Sequence, residues 1–332
     1  MHSSGSRTGL VLGIIALAVP VLALGTFVSA FALQVPGGQT VNPLAATSFY
    51  VNPSSSAAQA AADAAERSGA SSAEATVLSR LAAQPAAIWL TPEKYPIDTV
   101  GDDVATITDA AVTDGKTAVF VLYGIPNRDC GNFSAGGLSA LDYPRWVQAI
   151  ATSLTLREAV VILEPDALSL ATQCNNVEER VHEVHTAVDL LAPTRATVYL
   201  DAGHSEWIAP SAMAGLLKRS GIASVRGFAT NVSNYMDSAA EHAYAQQLSD
   251  LTDGAHYVID TSRNGAGSNG EWCNPPGRAL GVLPSVVSNQ GAQDANLWIK
   301  QPGESDGTCN GGPLAGDWWN TQALALTQAA GW

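Results

Sequence analysis

Residues 160–166 read Val160-Val161-Ile162-Leu163-Glu164-Pro165-Asp166. A bare apolar run of strand length stops at two carboxylates around a proline. Runs of Val, Ile and Leu mark strands buried on both faces, whereas carboxylates are seldom buried without a reason. In barrels and open α/β sheets the carboxyl edge of the strands is where active sites sit. A polar turn is the plainer reading, since Pro and Asp both favour turns, and one such strand does not displace it.

The pattern recurs. Thr117–Tyr123 runs into Arg128-Asp129-Cys130, and Ala196–Leu200 ends at Asp201, with Gly203-His204 beyond. His256–Ile259 ends at Asp260, before Arg263-Asn264, and Ala295–Ile299 ends at Lys300, before Glu304 and Asp306. Ser48–Val51, Ala86–Leu90 and Val225–Thr230 are weaker strand candidates. Helix-like segments lie between: Ser55–Arg67, Asp102–Thr113, Tyr143–Ser153, Val177–Leu191, Pro210–Ser220 and Ser238–Leu251. Alternating strands and helices predict a parallel sheet with crossover helices. About eight such units with charge at their ends predict a β/α barrel in one domain. A doubly wound open sheet is the alternative, but no strong Rossmann start supports it.

The chain of 332 residues is 46% hydrophobic, enough for a sizeable core, and carries a net charge of −14. Nucleic acid and anionic membranes are poor partners for that charge; a neutral or cationic substrate suits it. At the N-terminus Arg7 precedes an uncharged apolar run from Leu10 to Ala32. A basic start, an apolar stretch and a small-residue site are the order of a secretory signal peptide. Ala30-Phe31-Ala32 fits the cleavage pattern and Val28-Ser29-Ala30 rivals it. The run is also long enough to span a membrane, so residues 1–32 are expected to be a signal peptide or a retained anchor. Residues 33–46 read as a linker, and residues 47–332 as the main domain of a secreted monomer.

Four cysteines remain: Cys130, Cys174, Cys273 and Cys309. An even count in an exported chain implies disulfides. Of three possible pairings, order along the chain and location after strand ends favour Cys130–Cys174 and Cys273–Cys309. A zinc site is the rival, but no C-x-x-C spacing exists. No metal or cofactor is expected.

Some patterns are decoys. Gly265-Ala266-Gly267-Ser268-Asn269-Gly270 matches the dinucleotide fingerprint by letter, yet it leads into Glu271-Trp272-Cys273-Asn274-Pro275-Pro276, which cannot open a helix. His182 and His185 sit on a helix pattern without the zinc-protease spacing. Ser268 lacks the nucleophile-elbow context.

The strand ends share carboxylates and aromatic rings, with few histidines. Trp89, Trp207, Trp272 and Trp298 lie at or beyond them. Each alone reads as core. Together with Asp and Glu they suit a polysaccharide: flat rings stack on sugar faces, carboxylates and amides bond hydroxyls, and paired carboxyls perform acetal chemistry.

Five ordered blocks make this specific: Tyr123-Gly124-Ile125-Pro126-Asn127-Arg128-Asp129-Cys130, Leu163–Leu168, Leu200–Trp207, Asp260–Gly265 and Trp298–Gly307. They resemble the signature blocks of glycoside hydrolase family 6. The resemblance implies an inverting cellulase on a distorted, incomplete parallel β/α barrel of about seven strands, and the two disulfides above. It implies that Asp166 is the general acid, that Asp129 raises its pKa, and that Arg128 orients these carboxylates. Tyr123 would stand beside the distorted sugar, Ser134 hold the catalytic water, and Asp306 be the proposed base. Asp201, His204, Asn264, Lys300 and Glu304 would contact substrate or set its electrostatics, with Trp89, Trp207 and Trp272 as stacking platforms. The expected substrate is a β-1,4-glucan or cello-oligosaccharide, cleaved within the chain. Exo-acting cleavage and non-catalytic glucan binding on the same fold are the alternatives.

Overall fold

The structure, a computed structural model, describes residues 41–69, 71–288 and 291–332. The expected signal or anchor and the first part of the linker lie outside the described residues. Part of the remaining linker already belongs to the domain. Leu44 is buried, and Asn42 Nδ2 donates to the carbonyls of Val287 (3.2 Å) and Asp294 (2.8 Å).

The strands are β1 (Ile88–Leu90), β2 (Val119–Leu122), β3 (Ala159–Leu163), β4 (Ala196–Asp201), β5 (Gly227–Thr230), β6 (His256–Asp260), β7 (Ser285–Val286) and β8 (Gln293–Leu297). They form one sheet in the order β1-β2-β3-β4-β5-β6-β8-β7. Every pairing is parallel except that of β7 with β8. The parallel strands therefore number seven. The eighth candidate, Ser48–Val51, contributes only a single bridge from Phe49 to Thr117.

Side chains alternate across this curled sheet as the two-residue period requires. Val119, Val121, Val160, Ile162, Tyr199 and Val258 point inward and pack together. Phe120, Leu122, Val161, Leu163, Val198 and Leu200 point outward, against the helices. Those helices are α1 (Ser56–Ser68), α2 (Ala73–Ala82), α3 (Val100–Thr113), α4 (Asp142–Leu154), α5 (Ala167–Leu170), α6 (Val177–Leu191), α7 (Pro210–Arg219), α8 (Ser238–Leu251) and α9 (Asn320–Ala329). Trp146 of α4 and Leu217 of α7 are fully buried there. Burying such a side chain contributes about 1.5–3 kcal/mol.

The sheet stops just short of a closed ring. At the seam the Ala87 amide donates to the Trp298 carbonyl (2.9 Å), and Trp89 Nε1 donates to the Ile299 carbonyl (2.9 Å). Trp298 is buried among residues of α1, α2 and α9, the core role its place by the last strand predicts. The Gly265–Gly270 stretch is a loop beyond β6 and does not open the helix that a nucleotide fingerprint requires.

Candidate active site

The strand-end carboxylates fall into two sets. One set is sunk in the protein and braces the loops. Glu164, just past β3, accepts the amides of Gly124 (3.1 Å) and Ile125 (3.2 Å) in the loop after β2. Asp201, ending β4, accepts the amides of Asp166 (2.9 Å) and Gly203 (3.1 Å). Asp260, ending β6, accepts those of Ser233, Ser262, Ile299 and Lys300, which lie beyond β5, β6 and β8. Glu241 of α8 accepts the Ser205 amide (2.8 Å). Glu164, Asp201 and Asp260 thus tie loops from different strands together, and Glu241 ties the loop after β4 to α8. Burial pushes Glu164 up to about 7, although the amides of Gly124 and Ile125 oppose the shift.

The other set opens into a cleft of about 470 Å³ at the carboxyl edge. Among the predicted site residues, Trp89, Tyr123, Asp129, Ser134 and Asp166 line it, as do His204, Trp207, Trp272, Lys300 and Asp306. Asp166 stands in the left-handed region with φ 68°, directly after Glu164-Pro165. Short polar residues tolerate that conformation best. Its side chain takes no hydrogen bond from any described residue, and part of it faces the cleft. Burial, then the charges of Asp201, Asp129 and Asp306, hold its carboxyl well above the usual range against the pull of Lys300.

Asp129 accepts the Ser134 amide at 2.8 Å. Burial raises its pKa too, opposed by that bond, by Asn132 and by Arg128. Asp306 is clamped rather than free. Arg263 pairs with it at 2.9 Å, the Tyr235 hydroxyl donates at 2.8 Å, and the Asn274 amide donates at 3.0 Å. Arg263 is fully buried and lies over the Tyr235 ring at 4.4 Å. Burial depresses the Lys300 ammonium, although Asp306 and Glu304 favour its charge. Burial also lowers His204 to about 4, so its ring is neutral at pH 7. That ring lies 5.2 Å from Trp207.

Several expected contacts lie elsewhere. Arg128 makes no ion pair with a cleft carboxylate. It pairs with Glu93 (3.1 Å), donates to the Tyr123 and Ser134 carbonyls (2.8 Å each), and sits 4.8 Å from the Tyr123 ring centre. It braces the loop that carries Asp129. Asp201 lies behind the cleft as a brace. Asn264 and Glu304 do not line the cleft. Asn264 is buried and donates to the Met236 carbonyl (3.0 Å) and Ser238 Oγ (3.1 Å). Glu304 accepts from Ser56 Oγ (2.7 Å) at the start of α1. Both disulfides join as expected, with Cα separations of 6.0 Å for Cys130–Cys174 and 6.1 Å for Cys273–Cys309.

The cleft also has walls that the sequence reading passed over, among them Asn132, Gln173, Glu206, Asn234 and Glu271. The clamp on Asp306 was missed as well. The signal available for it was Arg263 within a quoted block, because a buried guanidinium requires an acid partner. Among the described residues, no cluster of three or more His, Cys, Asp or Glu is arranged to hold a metal ion.

Comparison with known proteins bears on this geometry. The model of the family described as glycosyl hydrolases family 6 matches residues 44–330. Endoglucanase A of Cellulomonas fimi is 43% identical over 290 residues, which are 87% of this chain and 63% of that protein. A probable 1,4-beta-D-glucan cellobiohydrolase C of Aspergillus fumigatus is 31% identical over 70% of this chain and 62% of its own length. The chain thus spans under two thirds of these curated relatives. The endoglucanase Cel6 of Mycobacterium tuberculosis, solved in complex with methyl-cellobiosyl-4-deoxy-4-thio-β-D-cellobioside, superimposes with a TM-score of 0.82 and 44% identity. That match covers 88% of this chain and all of the other.

Proposed function

The chain belongs to glycosyl hydrolases family 6, and on that premise we propose that it is a secreted endo-β-1,4-glucanase that cleaves with inversion. The observation that carries the reading is Asp166. Its carboxyl faces a cleft, takes no hydrogen bond from any described residue, and has its pKa raised by burial, then by the charges of Asp201, Asp129 and Asp306. A protonated acid at neutral pH is what departure of a glycosidic oxygen requires.

In this mechanism a glucan chain lies in the cleft with its sugar faces on Trp89, Trp207 and Trp272. Asp166 donates its proton to the leaving oxygen as the glycosidic bond breaks. A water attacks the anomeric carbon from the opposite face, between the sugar and the Ser134–Asp129 turn, and Asp129 relays its proton outward. Asp306 is held by three protein donors, Tyr235 and Asn274 at Oδ2 and Arg263 at Oδ1. It serves as a fixed negative charge opposite the developing oxocarbenium ion. Lys300 and neutral His204 bond hydroxyls.

Trp272 is 54% exposed on the rim, and the disulfide-tied segments span only 44 and 36 residues. Both features support an open cleft that admits the middle of a chain. A purely binding protein has no use for a cleft carboxyl whose pKa is raised. The test is product analysis on defined cello-oligosaccharides with detection of the first-formed anomer. Internal cleavage and an initial α-anomer are expected; an initial β-anomer overturns inversion, and release of cellobiose alone overturns endo action.

A further inference from the structure

The two banks of the cleft meet at the rim through aromatic contact. On one bank, Cys273–Cys309 and Asn274 weld the loops after β6 and β8 into a single body. The Asp306 amide donates to Asn274 Oδ1 (2.8 Å), and Asn274 Nδ2 donates to the Gly307 carbonyl (2.7 Å). On the other bank, the loop after β2 is held by Cys130–Cys174 and by the bond from the Ser134 amide to Asp129. Among the described residues, no hydrogen bond or ion pair joins residues 127–137 to residues 268–312.

Phe133 bridges them. Its ring centre lies 5.9 Å from that of Trp272, with the planes at 43°. The bare α-carbon of Gly307 packs on the same ring, and a β-carbon at 307 would overlap it. Phe133 is nevertheless 47% exposed and Trp272 is 54% exposed. Large rings left this open do little for the core; paired across a cleft, they mark a binding surface. The neighbours of Phe133 on either side, Asn132 and Ser134, line the cleft, as do Trp272 and Asp306.

We propose that Phe133 is a positioning residue for sugar binding, a latch that backs Trp272 from the opposite bank and holds its indole against a neutral β-linked sugar ring. The inference rests on the function proposed above. The latch is held by dispersion and ring contact alone. Phe133 thereby sets how long a chain stays in the cleft, while Asp166 sets how fast it is cut.

Binding of cellopentaose by calorimetry, in an Asp166→Asn background that leaves the chain intact, is the direct test. Adding Phe133→Ala is expected to weaken binding about three- to tenfold, the worth of one aromatic pair. Phe133→Tyr restores it, and the melting temperature stays within about 2 °C, as befits a half-exposed side chain. On insoluble cellulose, with Asp166 intact, Phe133→Ala lowers the ratio of soluble to insoluble reducing ends. Without any sugar, acrylamide quenching of tryptophan fluorescence rises in Phe133→Ala, and that rise vanishes when Trp272→Phe is added. Unchanged binding with an unchanged product ratio overturns the proposal, as does unchanged quenching. A large drop in melting temperature with normal binding also overturns it and returns Phe133 to a structural role. Failure of the proposed function is read separately, as absence of hydrolysis and of cellopentaose binding in the parent protein; the quenching measurement then still decides whether the latch exists.

Discussion

Replacing Asp166 with Asn probes the chemistry with little disturbance of the backbone. Residue 166 has φ 68°, and Asn adopts that conformation readily, whereas Ala would add strain of roughly 1–2 kcal/mol. Its amide bond to Asp201 involves the main chain and survives the change. What disappears is one proton donor. A positioned acid is worth about 10²–10⁴ in rate. Asp306 is clamped, Asp129 holds the Ser134 amide, and Asp201 lies outside the cleft lining, so none of them stands in its place. The loss on unactivated cello-oligosaccharides should therefore sit at the upper end, about 10³–10⁴. A glycosyl fluoride leaves without protonation, so its loss should be under about tenfold. The pH profile supplies a second readout. The acid works only while protonated, so parent activity falls as pH rises through the elevated pKa of Asp166. In the variant, fluoride cleavage should lose that alkaline limb. Steady-state kinetics on both substrates from pH 4 to 9 check both points. Equal losses on the two substrates, or an alkaline limb that persists, would refute the assignment of Asp166 as the acid.

Other outcomes follow from burial. Trp298→Ala should cost about 3–5 kcal/mol of stability, because this ring is 1% exposed and its Nε1 donates to the Val282 carbonyl. Trp272→Ala should leave melting nearly unchanged and weaken binding more for long cello-oligosaccharides than for short ones; calorimetry and titration separate the two variants. Asn264→Ala should lose about 1–3 kcal/mol, the cost of leaving its buried partners unpaired, with KM unchanged in steady-state assays of the folded fraction. Thermal stability should fall as pH rises from about 4.5 to 7. Glu164 and Glu183 titrate near 7 when folded, against 4.5 ordinarily, chiefly through burial, so the folded state holds more protons across that window. Calorimetric melting points that rise over this range would contradict the burial of these acids.

The barrel was legible because its strands are bare apolar runs. Val160–Leu163 is buried on both faces, as such a run predicts. Val177–Leu191 and Ser238–Leu251 form as predicted to the residue. Ser48–Val51 has the look of a strand but finds only Thr117 to pair with, so tertiary context overrides its pattern. The helices α2, α5 and α9 were passed over. In α2 the Ser72 cap and Glu74 gave a signal, whereas α9 follows a Gly- and Trp-rich stretch that hides its period.

In the site, local blocks marked the cleft but not which acid is free. Asp201 and Asp260 read like catalytic groups because both end strands, yet Asp260 gives both oxygens to main-chain amides and Asp201 gives its Oδ2 to two of them. Only three-dimensional neighbours make that distinction. Likewise the partners of Asp306 lie 32, 43 and 71 residues away along the chain, beyond the reach of any spacing rule.

The bracing acids also bear on how such a protein can diverge. Glu164, Asp201, Asp260 and Glu241 hold their loops by main-chain amides, which every residue except proline supplies. Away from Gly124 and Gly203, where a β-carbon would meet Trp146 and Ser169, the loops can therefore change many side chains without losing the points at which they leave the barrel. A library that randomises the walls of the cleft, keeps these acids and bars proline at the donor positions should stay largely folded while its preferences among glucans scatter. Randomising the acids instead should empty the library of folded members, whatever sequences the loops carry.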